Sequence, residues 1–470
     1  MPSPGEILEA LEREAARSLS IWRRLTAAQL LVASFLVLVT FGTTLLLALP
    51  GLYTGERLSF VDALFTATSA VCVTGLVVVD TATYFTPLGQ AVLLLLIQLG
   101  GLGILTLTTL VILMLGRPLT LRAEAVVGAS AALPHIKAGQ LIRGIIGYTL
   151  AIELVGAFLL WLAWTPRFSA LDALWPALFH AISAFCNAGF SVFSESLVRV
   201  SGDALGLVIM MGLIVLGGLG FLVLEELHLW RWGRGGVRVS LHTRLVLVAT
   251  LILVAGGALL FAALEWTNTL AAFPAALRPV HALFLSITPR TAGFNTVGYA
   301  ELTNASLLLT MILMIIGGSP GSTAGGLKTT TVALLVALAL ARLRGRVATS
   351  AFRRTIPEGT IQRAIGLAVF VLVLVNAALL ILQITEVGSL PHSQAQGRFL
   401  QLAFEAASAF NTVGLSMGIT PDLSAAGRVI LAMLMFVGRV GPLTLVASMA
   451  VAAERRVVRL RYATEDVVVG

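Results

Sequence analysis

The chain has 470 residues, of which 58% are hydrophobic and only 11% are charged, and its mean hydropathy is +0.96. Soluble globular proteins carry about 25% charged residues, so this composition excludes a protein that is surrounded by water on all sides. The formal net charge of +8 comes from 31 Lys and Arg against 23 Asp and Glu. The positions of these basic residues are more informative than their number.

Five apolar runs, taken in chain order, are close to or above the length that crosses a bilayer, which is roughly 20 residues for a helix. They are Leu25–Leu49, Leu88–Leu115, Leu205–Leu229, Leu245–Leu264 and Leu367–Ile384. The sequence therefore predicts a polytopic membrane protein with the lipid bilayer as its surroundings.

Basic residues cluster between the apolar runs and at both ends of the chain. Of the 31 Lys and Arg, 22 lie in the N-terminal tail, in segments 117–143, 231–244 and 342–363, and after Glu454. Because basic residues concentrate on cytoplasmic connections, we predict a multi-pass protein of the cell (inner) membrane with both termini cytoplasmic. The predicted tails are 1–24 and 454–470. This distribution sets the topology, and we expect no nucleic-acid partner.

Four stretches of the chain align with one another. They are DALFTATSAVCVTGLVV (62–78), PALFHAISAFCNAGFSV (176–192), HALFLSITPRTAGFNTV (281–297) and LAFEAASAFNTVGLSMG (402–418). Each contains a Phe followed by a glycine 10, 10, 9 and 10 residues later, respectively. Such a stretch is too short to cross a bilayer and too apolar for an exposed loop, so it predicts a re-entrant half-helix followed by extended backbone.

A second glycine cluster follows each stretch after one more apolar segment, as in IQLGGLGILT (97–106) and IVLGGLGFLV (214–223). The unit is therefore helix, half-helix, extended turn, helix, repeated four times. We predict an all-α membrane fold of four M1–P–M2 pseudo-repeats, with eight transmembrane and four re-entrant helices around one central pore. The predicted repeats are 25–116, 140–232, 243–345 and 361–453. Two crossings per unit favour a pore over an inverted-repeat carrier.

We name the four extended turns the glycine loops. They are Val73, Thr74, Gly75 and Leu76; Asn187, Ala188, Gly189 and Phe190; Thr291, Ala292, Gly293 and Phe294; and Thr412, Val413, Gly414 and Leu415. Their side chains carry no charge, but glycine permits dihedrals that turn backbone carbonyls toward one axis. Four such loops predict rings of carbonyl oxygens that replace the hydration shell of a monovalent cation. The alternative is that the glycines are close-packing points between helices.

The loops TGLVV, NAGFS, TAGFN and NTVGLS resemble those of the Trk/Ktr/HKT superfamily of potassium transporters, over nearly the whole chain from Leu25. Glycine at all four positions implies, by this resemblance, potassium selectivity at Gly75, Gly189, Gly293 and Gly414. Without a further hydrophobic pair before Leu25, the chain looks like the Ktr-type membrane subunit. That resemblance implies a homodimer on a cytosolic ring of RCK-type regulatory subunits, which bind the nucleotide, and stimulation by sodium.

The third glycine cluster interrupts its apolar segment, and we name residues 317–327 the interrupting loop. It contains Gly317, Gly318, Ser319, Pro320, Gly321, Ser322, Thr323, Ala324, Gly325 and Gly326. So many glycines with a proline cannot continue a helix. Its flexible backbone suits a movable gate below the glycine loops, which the family also carries at this place. The alternative is a helix break that packs against a neighbour.

Three basic residues lie inside apolar surroundings. Arg439 stands within a crossing segment, where an unpaired charge is costly and marks a functional hypothesis. The family has an arginine at this position, which implies a gating role, and a structural ion pair is the alternative. Lys328 follows the interrupting loop and is predicted to anchor it. Arg290, before the third glycine loop, has backbone carbonyls or a carboxylate such as Glu405 as candidate partners.

Two other function classes were weighed. A cation-coupled secondary transporter of a small solute needs a central pocket with ionisable or aromatic groups, which the glycine loops do not offer. An enzyme needs a metal motif, a nucleophile with its base or a carboxylate pair, and no such set recurs in the sequence. We therefore predict potassium uptake and no enzymatic activity.

Overall fold

The computed structural model describes residues 27–114, 138–232 and 239–455. The predicted tail 1–24 lies outside these residues, and so do most of segment 117–143 and residues 456–470. The cytoplasmic placement of these segments therefore stays a prediction.

Four long apolar helices open four successive sections of the chain. They are α1 (Ala27–Ala48), α5 (Ala138–Trp164), α9 (Leu241–Glu265) and α13 (Glu358–Glu386). Each contains a stretch that is long and apolar enough to cross a membrane, with mean hydropathy between 2.0 and 2.9. Large apolar side chains such as Leu251 and Leu372 are about two-thirds exposed on them, as expected for helices that face lipid.

A short helix follows each long one and ends just before a glycine loop. These are α2 (Phe60–Val71), α6 (Ala170–Cys186), α10 (Arg278–Ile287) and α14 (Arg398–Phe410). With 10 to 17 residues they are shorter than a crossing. The Phe shared by the four repeats is fully buried in every one of them, at Phe65, Phe179, Phe284 and Phe404.

A further helical segment closes each section, and three of the four are interrupted. The helices are α4 (Pro87–Met114), the pair α7 (Ala204–Leu219) and α8 (Phe221–Trp232), the pair α11 (Asn304–Ile315) and α12 (Thr329–Leu343), and α15 (Ala425–Arg455). Helix α4 kinks at Gly103, and α8 is bent by 97° from α7 at Gly220, which has φ 88°. The interrupting loop separates α11 from α12, as expected; the breaks at Gly103 and Gly220 were not anticipated.

Smaller elements lie between these helices. A four-residue helix α3 (Thr81–Tyr84) follows the first glycine loop, and strands β1 (Ser350–Ala351) and β2 (Arg354–Thr355) form a two-stranded antiparallel hairpin between α12 and α13. The prediction of an all-α membrane fold is confirmed.

The short helices are packed in a closed order. Each contacts the closing helix of the preceding section: α2 packs on α15, α6 on α4, α10 on α7 and α14 on α11. Because the first section thereby meets the fourth, the four sections surround a common centre in chain order.

Candidate functional site

The four predicted glycines meet at that common centre. A Cβ atom built on Gly189 would lie 3.0 Å from the Cα of Gly293, and one built on Gly293 would lie 3.3 Å from the Cα of Gly414. A Cβ on Gly414 would lie 3.0 Å from the Cα of Gly75, and one on Gly75 would lie 3.0 Å from the Cα of Gly189. Each glycine therefore touches the next in chain order, and the four close a ring with no room for a side chain.

The glycine loops share one backbone pattern. In each loop φ is positive at the glycine, with values of 71–95°, and also two residues earlier, at Val73, Asn187, Thr291 and Thr412. The residue between them does not have positive φ. Alternating left- and right-handed dihedrals turn successive carbonyl groups toward the same side. Positive φ at a β-branched residue is a rare, strained conformation, so the surroundings must hold these loops in place.

Hydroxyl side chains of the short helices supply part of that support. Ser69, Ser183 and Thr288 donate to the carbonyl of the residue after the glycine, at 2.7, 2.8 and 2.5 Å. The backbone N–H of Gly414 donates to Ser408 Oγ at 3.0 Å. These four residues were not predicted from the sequence, although the aligned repeats place a hydroxyl residue six positions before the glycine in three repeats and five before it in the shorter third.

The dipoles of the short helices add favourable electrostatics for a cation. Helices α2, α6 and α14 end at Val71, Cys186 and Phe410, directly before or one residue before their glycine loops. The carboxyl end of a helix carries a partial negative charge. Within the described residues there is no cluster of three or more His, Cys, Asp or Glu that could hold a metal ion.

The interrupting loop is fastened to the break between α7 and α8. The Ser319 N–H donates to Gly218 O at 3.0 Å, and the Phe221 N–H, which is left free by the break, donates to Gly321 O at 3.1 Å. The Thr323 hydroxyl bonds Phe185 O at 3.1 Å and the Asn187 amide group at 2.9 Å.

The same loop lies against the glycine loops. A Cβ on Gly325 would collide with the Thr412 side chain, and one on Gly326 would lie 2.7 Å from Asn411 Oδ1. The interrupting loop thus packs directly beneath two of the four glycine loops, on the side where the short helices end.

Arg439 joins the interrupting loop to another helix. Its guanidinium is buried and donates to the carbonyl oxygens of Thr323 and, at 2.9 Å, of Gly100 in α4. Within the part of the chain that the structure describes, no carboxylate forms an ion pair with it. Backbone carbonyl oxygens are therefore the partners of the Arg439 guanidinium, and the alternative of a structural ion pair finds no support among the described residues. Lys328 donates from Nζ to Ala324 O at 2.6 Å, inside the interrupting loop.

The suggested Arg290–Glu405 contact is wrong. Arg290 Nη2 lies 3.5 Å from Thr329 Oγ1 at the start of α12. Glu405 instead accepts from the hydroxyl groups of Ser416 and Thr420. Arg290 lies in the turn after α10 and Glu405 lies in α14, and spacing along the chain does not show which way either side chain points.

The chain is similar to known cation transport proteins over most of its length. The family model TrkH, described as a cation transport protein, matches residues 7–457. The chain is 38% identical over 457 residues to the Ktr system potassium uptake protein B of Bacillus subtilis, covering 96% of this chain and 98% of that protein. It is 36% identical over 450 residues to the potassium/sodium uptake protein NtpJ of Enterococcus hirae, covering 95% and 98%.

A solved structure shares the fold. The crystal structure of the potassium transporter TrkH from Vibrio parahaemolyticus matches with a TM-score of 0.70 at 19% identity, over 89% of this chain and 83% of that one.

Proposed function

Since the chain belongs to the TrkH family of cation transport proteins, we propose that it takes up potassium ions across the cell membrane. The family consists of transporters, so the chain is a multi-pass membrane protein and not an enzyme. Its relatives in Bacillus subtilis and Enterococcus hirae are named for potassium uptake and for potassium/sodium uptake, and nearly their whole lengths are matched.

The four glycine loops are proposed to be the selectivity filter. Potassium is the cargo: rings of carbonyl oxygens replace its hydration shell one layer at a time. The observation that carries this proposal is the closed contact of Gly75, Gly189, Gly293 and Gly414 combined with alternating φ in every loop. Because no side chain fits at the four glycines, we propose backbone oxygen as the ligand of the ion there.

The interrupting loop and Arg439 are proposed to form the gate. The loop packs beneath the filter, and the Arg439 guanidinium ties its Thr323 carbonyl to Gly100 of α4. In this position the loop closes the path and the positive charge of Arg439 opposes cations. Opening requires these bonds, and those between the loop and Gly218, to break together. Residues 317–326, Lys328 and Arg439 are the proposed gate residues.

The proposed partners and the proposed activating ion are based on the similarity to named relatives. Two relatives from Bacillus subtilis are named as potassium uptake proteins of a Ktr system, and we propose a homodimer on a cytosolic ring of nucleotide-binding subunits, with nucleotide on the partner only. Sodium is proposed as an activating ion, which agrees with a relative named for both ions. Both termini are proposed to be cytoplasmic, because the basic residues cluster on that side.

Complementation tests the proposed function. The chain is expressed in a bacterium that lacks its own potassium uptake systems, together with and without a Ktr-type regulatory subunit, at micromolar external potassium. Growth that depends on the chain is the expected result. A chain that reaches the membrane and yet supports no potassium uptake in either strain contradicts the proposal.

A further inference from the structure

Two buried side chains on different short helices hold the same part of their glycine loops. His180 and Glu405 both directly follow the Phe shared by the repeats, in α6 and α14. His180 Nε2 lies 2.9 Å from the hydroxyl of Ser191, two residues after Gly189. The Glu405 carboxylate accepts from the hydroxyl of Ser416, two residues after Gly414. We name these two pairs the braces.

The two braces use different residues for the same chemistry. His180 Nδ1 lies 2.8 Å from the Pro176 carbonyl, which can only accept, so Nδ1 carries the proton. In the neutral imidazole Nε2 is then the acceptor for the Ser191 hydroxyl. In the other brace a carboxylate oxygen is the acceptor. Each brace is thus a serine hydroxyl that donates to a buried acceptor on the short helix.

The acceptor side chains of the two braces are buried, which strengthens their hydrogen bonds. His180 and Glu405 are fully buried, and Ser191 is 8% exposed. The two acceptors are therefore shielded from water, whereas Ser416 is only partly buried. A buried polar group left without a partner is costly. The second carboxylate oxygen of Glu405 is also used, because it accepts from Thr420 Oγ1 at 3.0 Å.

The braces are not found in all four repeats. The matching positions are Thr66 and Val77 in the first repeat and Leu285 and Asn295 in the third. The Thr66 hydroxyl is buried without a hydrogen-bond partner, and Leu285 has no polar atom in its side chain. The third loop is held one residue further along, where His281 Nδ1 lies 3.1 Å from Thr296 Oγ1.

The two braces act on glycine loops that lie on opposite sides of the ring. Because the glycines touch in chain order, the second and fourth loops face each other across the centre. A brace on each of them fixes two opposite sides of the ring, which sets the distance between their carbonyl groups.

Resting on the proposed function, we propose that His180 and Glu405 are positioning residues for potassium selectivity. They do not touch the ion. They hold Ser191 and Ser416, and with them the backbone just after Gly189 and Gly414, so that the carbonyl oxygens keep the number and spacing that favour potassium over sodium.

Uptake into vesicles that contain the purified chain tests this inference. Potassium and sodium uptake are each measured against ion concentration for the wild type, Ser416→Ala, Glu405→Ala, the double variant and Glu405→Gln. Ser416→Ala and Glu405→Ala are each expected to lower the preference for potassium about tenfold, as for the loss of one hydrogen bond. The double variant should lose less than the sum of the two single losses, since both single variants remove the Ser416–Glu405 bond.

Glu405→Gln distinguishes the effect of the hydrogen bond to Ser416 from the effect of a negative charge at this position. The amide keeps a carbonyl oxygen for Ser416, and its NH₂ group can donate to Thr420, so the preference for potassium should be retained. Thr66→Val is the matched control, because it changes the same position in α2 where no brace exists, and its preference should equal that of the wild type.

The outcomes distinguish this inference from the proposed function. A wild type that takes up no potassium contradicts the proposed function itself. A potassium-selective wild type whose preference is unchanged in Ser416→Ala overturns the inference, and so does an equal loss in Thr66→Val. Ser416→Ala and the parallel Ser191→Ala remove single oxygen atoms, so they decide the matter even where Glu405→Ala does not fold.

Discussion

At the scale of single residues, backbone demands and buried hydrogen bonds define the site more than charge does. Arg439 illustrates this. A guanidinium at this depth would be costly without partners, and its partners are two backbone carbonyls, on Thr323 and Gly100, that belong to different elements. The residue therefore links two elements that separate when the proposed gate opens.

We predict that Arg439→Ala raises potassium flux. Hydrogen bonds from a charged group contribute about 1.5–3 kcal/mol each, so losing two of them should raise the open population by at least tenfold. The measurement is potassium flux into vesicles containing the variant without the regulatory partner.

Arg439→Lys is the comparison for that experiment. Lysine keeps the positive charge but cannot bond two carbonyls in a fixed fork. An intermediate flux is expected if the bonds hold the loop. Wild-type flux in both variants would contradict the gating role of Arg439.

The glycines and the buried arginine of the site could be predicted from the sequence, whereas the hydrogen-bond partners that support them could not. The glycines and Arg439 stand out because glycine in register and a charge in an apolar run are rare. The supporting hydroxyls of Ser69 and Ser183 were missed, because serine is common in membrane helices and its partner depends on rotamer and packing. The partner of Arg290 was missed for the same reason.

At the scale of elements, the breaks in the closing helices are coupled. The interrupting loop uses the backbone groups that the break at Gly220 sets free: Phe221 N–H bonds Gly321 O, and Gly218 O accepts from Ser319. The sequence predicted the loop itself, since its glycines and proline exclude a helix. It did not predict the breaks at Gly103 and Gly220, because GGLG alone is also compatible with a continuous helix in a membrane.

We predict that deletion of residues 319–325 raises potassium flux and leaves the preference for potassium over sodium unchanged. The deletion removes the bonds to Gly218 and Phe221 and clears the space beneath the glycine loops, while the contacts among the four glycines do not involve the deleted residues. Flux and preference are measured in the same vesicles. A variant with unchanged flux would mean that the loop is a packing element and not a barrier.

At the scale of the whole molecule, the chain closes on itself between its first and last sections. Helix α2 packs on α15, and Arg428 forms an ion pair with Asp62 at 2.5 Å across this seam. Arg428 also donates to the Pro421 carbonyl. All four sections belong to one chain, and the packing of α2 on α15 joins the first section to the fourth. The ring of four glycines therefore forms within a single chain.

We predict that Arg428→Ala weakens the seam only slightly. The ion pair is partly exposed, so its loss should lower the free energy of unfolding by about 1 kcal/mol or less, with the preference for potassium unchanged. Thermal unfolding in detergent measures the change, and Arg398→Ala, an exposed arginine at the start of α14, is the control. A loss of several kcal/mol, or a shift in ion preference, would show that this single pair holds the ring closed.

If the four glycines form one potassium-selective ring, a side chain added at any of them should change the preference for potassium over sodium. Potassium and sodium uptake into vesicles is compared for the wild type and for Gly75→Ser, Gly189→Ser, Gly293→Ser and Gly414→Ser. Gly51→Ser is the control, because Gly51 also has positive φ but no neighbouring atoms within 4 Å. Each ring variant is expected to lower the preference for potassium by about tenfold or more, whereas Gly51→Ser is not. Wild-type preference in the four ring variants would contradict the proposal that the glycines form the selective ring.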